Sequence, residues 1–101
     1  MNAPLYTTEI LRLAASLPGP RELERVDGFA EQRSPTCGST VRLSVQIDGD
    51  GCVAALSQEV HASAFGQASA SLLEAAAPGR SSKDVATAVK ELERWLSGTR
   101  D

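Results

Sequence analysis

The chain has 101 residues and a mass of 10.6 kDa, room for one hydrophobic core, so it reads as a single domain over residues 1–101. Hydrophobic residues make up 42% and charged residues 23%, ordinary values for a globular domain, which excludes disorder, a collagen-like repeat and a coiled coil. Ten basic against thirteen acidic residues give a net charge of -3, and the basic ones are scattered, so neither nucleic acid nor a membrane surface is expected as a partner.

No run approaches the roughly 18 apolar residues of a membrane span. The first residues also lack the basic start and apolar run of a secretory signal, which makes the expected location cytoplasmic. Cys37 and Cys52 are too few for a disulfide framework and are expected to stay reduced.

Tyr6, Ile10, Leu13, Ala14 and Leu17 recur at the spacing of one helical face, with Thr7 or Thr8 able to cap its start. Pro18, Gly19 and Pro20 end that helix. A short strand is expected at 28–33. Over 40–48, Val41, Leu43, Val45 and Ile47 alternate with polar residues, the period of a half-buried strand.

Asp48-Gly49-Asp50-Gly51 is a turn, and 52–61 returns as the second strand of a hairpin. With Gly49 and Asp50 as the two loop residues, Ile47 faces Cys52, Val45 faces Ala54 and Leu43 faces Leu56, apolar against apolar. The same register sets Cys37 opposite Ala62 and about 33 Å from Cys52, so the two cysteines share neither a metal nor a disulfide. Cys52, opposite Ile47, is expected to be buried and structural.

Phe65, Ala68, Leu72 and Ala76 then mark a helix that begins just beyond Ser63 and ends at Pro78-Gly79. A last helix opens with Ser81 and Asp84 at capping-box spacing and carries Val85, Val89, Leu92 and Leu96 on one side. The fold class is α+β: a small antiparallel three-stranded sheet with a central hairpin, and helices packed on one face.

Cys37 is where chemistry is expected, because the hairpin brings it to the start of the helix after Ser63, whose N-terminal dipole would favour a thiolate. A small apolar residue at a strand start is the other reading of it. His61, the only histidine, shares a strand face with Ser63 and lies near Cys37, so it could tune the thiol or ligate iron or zinc with it, and an ordinary exposed histidine is the other reading, since one Cys and one His fall short of a full ligand set. No acid at triad spacing and no nucleophile elbow accompany Ser63, and the chain is expected not to be an enzyme.

These residues resemble a family. Pro35-Thr36-Cys37-Gly38, the alternating strand, the glycine turn, the second strand, and Ala62-Ser63-Ala64-Phe65-Gly66-Gln67-Ala68-Ser69-Ala70-Ser71-Leu72 are similar to the NifU/IscU-type iron-sulfur cluster assembly scaffold over residues 34–80. The resemblance implies a scaffold that takes sulfur from a cysteine desulfurase, builds a cluster on three cysteines and passes it to iron-sulfur acceptor proteins.

It sets Cys37 at the first cluster cysteine and Ser63 at the second. Cys37 and Ser63 are then the positions facing an iron-sulfur cluster, and Cys37 with His61 the ligands for iron or zinc. Ser39 stands where the family has an acidic residue, and the third cysteine has no counterpart before Asp101. With one cluster cysteine retained, two alternatives stand beside the scaffold. Cys37 alone could carry a persulfide, or the chain could be a docking or regulatory module for a desulfurase or a complete scaffold. Metal binding is expected to be weak in one chain, or to need a homodimer with two copies of Cys37.

Overall fold

The structure is a computed structural model that describes residues 7–96 and 98. Its elements run α1 (Thr8–Ala15), β1 (Gly28–Arg33), β2 (Thr40–Ile47), β3 (Val53–His61), α2 (Ala64–Ala76) and α3 (Ser82–Leu96), with the three strands in one antiparallel sheet in chain order. This is the expected α+β class. Tyr6, expected on the first helix, lies outside the described residues, as does the side chain of Leu96.

Capping residues start two of the helices. Thr7 Oγ1 accepts the Ile10 N–H at 3.2 Å. Ser81 and Asp84 form the reciprocal capping box: the Asp84 N–H reaches Ser81 Oγ at 3.2 Å and the Ser81 N–H reaches Asp84 Oδ2 at 3.1 Å. The Asp84 carboxyl is held below its usual range by hydrogen bonds from the Ser81 backbone N–H and then from its hydroxyl.

The β2–β3 register differs from the expected one by two residues. Thr40 pairs with His61, Leu43 with Gln58 and Val45 with Leu56. One residue of the difference comes from the turn, which has three loop residues. The Asp48 N–H bonds to the Cys52 carbonyl at 2.9 Å, and Gly51 sits at φ +80°, the left-handed position that such a loop requires. Asp48 Oδ1 fastens it by accepting from the N–H groups of Asp50 and Cys52. The second residue comes from a bulge between Gln46 and Ile47, which puts Ile47 opposite Val53. Cys52 therefore does not face Ile47; it bridges to Ser81 and is half-buried rather than buried.

Because the difference is an even number, every side chain keeps its face. Leu43, Val45 and Ile47 lie against Val53, Leu56 and Ala77, with Leu56 only 2% exposed. The buried Gln58 on that face is satisfied by α2: its Nε2 donates to the Ala70 carbonyl at 3.0 Å and to Glu74 Oε1 at 3.1 Å.

The free edge of β3 is occupied by the linker after α1, where Arg21 donates its N–H to Ser57 Oγ at 2.8 Å and its Nε–H to the Leu56 carbonyl. Near the bulge, Asp27 Oδ2 accepts the Ile47 N–H at 2.7 Å while Arg25 holds both the Asp27 carboxylate and the Ile47 carbonyl. α1 and α2 pack on each other and α2 on β3, whereas α3 leaves Val85, Val89 and Leu92 exposed. Its apolar side, expected to join the core, faces an open groove instead. No helix among the described residues is long and apolar enough to cross a membrane.

Candidate functional site

Cys37 lies in the loop that joins β1 to β2, not in the ladder opposite Ala62. The Arg33–Thr40 pair closes the strands. Ser34 N–H then bonds to the Ser39 carbonyl at 2.8 Å, and Gly38 N–H to the Ser34 carbonyl at 2.9 Å. Pro35 fixes one backbone angle of this loop, and Gly38, at φ +76°, takes the left-handed conformation that lets it close. The result is an exposed thiol on a short, hydrogen-bonded loop.

Its acidity comes from within the same loop. The Ser34 hydroxyl, then the Ser39 hydroxyl and the Ser39 backbone N–H, donate to the sulfur and lower the Cys37 pKa to about 7, well below that of an unperturbed thiol. The Ser39 oxygen is 3.1 Å from Sγ. A helix N-terminus was the expected cause; two serines at positions -3 and +2 are the observed one. Hydroxyls flanking a P-x-C-G turn are the sequence signal that would have pointed to them.

Ser63 is the N-cap residue of α2, with extended backbone and no side-chain capping bond. It follows β3 at the sheet end where the Cys37 loop precedes β2. His61 pairs with Thr40 at that end, and its Nε2 lies 3.0 Å from Glu59 Oε2. The hydrogen bond from His61, with the charge of Arg42, keeps the Glu59 carboxyl below its usual range. Period-two alternation places Glu59 on the face of His61, so this partner too was readable from the sequence.

Donation of Nε2–H to a carboxylate leaves Nδ1 as the free lone pair, an arrangement often found behind a metal-bound imidazole. Among the described residues, no three His, Cys, Asp or Glu side chains gather as a metal group. Cys52 stands apart, beyond the far end of β2 from Cys37.

No protein-family model and no curated protein sequence matches the chain. Solved structures do. The N-terminal part of a nitrogen-fixing NifU-like protein from Brucella abortus is similar at TM-score 0.83 and 29% identity, over 94% of this chain. This chain spans 65% of the length of that one. A protein from the thermophile Fervidobacterium islandicum AW-1, described as an iron-sulfur cluster assembly scaffold for the SUF system, shares the fold at TM-score 0.82 and 21% identity, over 94% of this chain and 69% of its own. The three-stranded antiparallel sheet and the helices of this chain thus form a NifU/IscU-like α+β fold.

Proposed function

We propose that this domain acts in iron-sulfur cluster assembly as a scaffold-like protein whose working residue is Cys37, and that it carries sulfur rather than catalysing a reaction. One observation carries the reading: an exposed thiol, acid enough to be about half ionised at neutral pH, sits on the loop at the sheet end where the helix after Ser63 begins.

Sulfur transfer asks for one such thiolate. The Cys37 sulfur attacks the outer sulfur of a persulfide on a cysteine desulfurase. The donor's S–S bond breaks as the new one forms on Cys37, the donor cysteine leaves as a thiolate, and no net oxidation occurs. Ser34 and Ser39 hold the attacking anion before the step. The iron-sulfur cluster is cargo, handed to acceptor proteins. His61, with Nδ1 free and Nε2 fixed by Glu59, is the imidazole that would meet iron or zinc with Cys37, and Ser63 occupies the second cluster position with a hydroxyl, a poor soft-metal ligand.

The test is intact-mass analysis after anaerobic incubation with a cysteine desulfurase and cysteine. One sulfur atom should be added to the wild type and to Cys52→Ser, and none to Cys37→Ser. Sulfur accepted equally by Cys37→Ser would overturn the proposal.

A further inference from the structure

The charges on the open face of the sheet are sorted into rows. Directly opposed residues of antiparallel strands share a face, so Glu31, Arg42 and Glu59 form one row. Arg33, Thr40 and His61 form the next, at the sheet end that carries the Cys37 loop. Arg42 neutralises the first row from within, 3.7 Å from Glu31 and 3.8 Å from Glu59. The second row holds no carboxylate, and its His61 is tied back to Glu59 at 3.0 Å.

Arg33 is the charge left over. Among the described residues its exposed guanidinium has no ion-pair or hydrogen-bond partner. It also reaches the cysteine loop: Nη2 lies 3.9 Å from the point where a Cβ on Gly38, next to Cys37, would stand. An unpaired arginine there has a use in the sulfur step. A persulfide that arrives as its anion meets the Cys37 thiolate as one negative charge meets another, and the two repel across a few ångströms even in water. A guanidinium at the meeting point offsets that repulsion.

We infer that Arg33 is the recognition residue for the sulfur donor: its guanidinium receives the negative charge of an anionic persulfide and brings the outer sulfur to Cys37. The inference rests on the sulfur-carrier reading and adds the charge that the donor must bear. In the step itself, the Cys37 thiolate bonds to the outer sulfur and the donor's S–S bond breaks toward the donor cysteine. One thiolate and one persulfide anion enter, and one of each leaves. Arg33 makes and breaks no covalent bond.

Charge selectivity of alkylation tests it in a Cys52→Ser background. Iodoacetate is anionic and iodoacetamide neutral, so the ratio of their rates at one pH cancels the ionised fraction of Cys37 and reads the local charge. Arg33→Gln should lower that ratio about threefold at low salt, the size of one exposed charge contact. The wild-type ratio should fall toward the same value as salt screens the charge. Arg33→Lys should keep most of it, and Arg80→Gln, beside Val53 at the other sheet end, should change nothing. A loop merely disturbed by the substitution alters both rates alike and leaves the ratio unmoved. Sulfur uptake from a desulfurase persulfide should slow about threefold in Arg33→Gln. An unmoved ratio, an Arg33→Lys ratio as low as that of Arg33→Gln, or sulfur uptake indifferent to Arg33→Gln would each overturn the inference and leave the carrier reading standing. A wild type that takes up no sulfur would overturn both.

Discussion

The acidity of Cys37 yields a prediction whose size follows from the loop. In a Cys52→Ser background, the pH dependence of iodoacetamide alkylation should show a midpoint of about 7. At pH 7 about half of Cys37 is then thiolate, against about 3% for an unperturbed thiol of pKa 8.5. That sixteenfold gain in anion does not pass fully into rate, because a less basic thiolate is also a weaker nucleophile, by about fivefold over this interval. The net advantage at pH 7 is about threefold, so the midpoint is the decisive readout and the absolute rate a poor one. Ser34→Ala removes the largest donor and should move the midpoint up furthest. Ser39→Ala should move it less, since the Ser39 backbone N–H remains. A wild-type midpoint above about 8, or one unmoved in Ser34→Ala, would refute the account of the loop.

Gly66→Ala poses a conflict of signs: alanine is the better helix former by about 1 kcal/mol, but the added Cβ would lie 2.7 Å from the Ala62 Cβ. The clash should win, lowering stability by about 1 kcal/mol or more in urea denaturation, with Ala62→Gly restoring it. The carboxyls of Asp27, Glu59 and Asp84 are all held below their usual range. Their contribution is therefore present above about pH 4.5 and lost as pH falls through the lowered folded values. The urea midpoint should drop between pH 5 and pH 3, and less steeply in Asp27→Asn, whose arginine and Ile47 contacts no longer depend on ionisation. Ser63→Cys adds a second thiol at the sheet end that holds Cys37 and His61, and should raise zinc affinity at least about tenfold in chelator competition. Ser44→Cys, on the middle of β2, should not.

Where the sequence was legible, local chemistry had a single outcome. The 28–33 strand, the capping box of Ser81 and Asp84, and the helix after Ser63 all appear as expected. The hairpin register was not, for a specific reason. A slip of two residues keeps every side chain on its face, so the alternation from Val41 to Ile47 fits both registers equally. The choice fell to the Asp48 side chain and to the bulge after Gln46, which no apolar pattern encodes.

Pairing Leu43 with Gln58 would look wrong from sequence alone. It is harmless because Gln58 finds its partners on α2, a contact across the layer and not along the strand. The apolar periodicity of α3 announced the helix, yet could not say whether its stripe met this chain or another. Of the candidate site, the exposed Cys37 loop and the sheet end that carries His61 follow from the residues, while the source of the thiol's acidity was misplaced. Two hydroxyls beside the sulfur mattered, not a helix end.

All the donors to the Cys37 sulfur come from one six-residue loop closed by its own hydrogen bonds. The thiol's reactivity is thus decoupled from the quality of the core beneath it. A substitution that loosens α2 or shifts the β2–β3 pairing changes how many molecules are folded, but not how acid the thiol is in those that are. The loop is in this sense a transplantable part: any antiparallel hairpin that ends in a pair equivalent to Arg33–Thr40 could receive residues 34–39 and acquire the acidic cysteine with them.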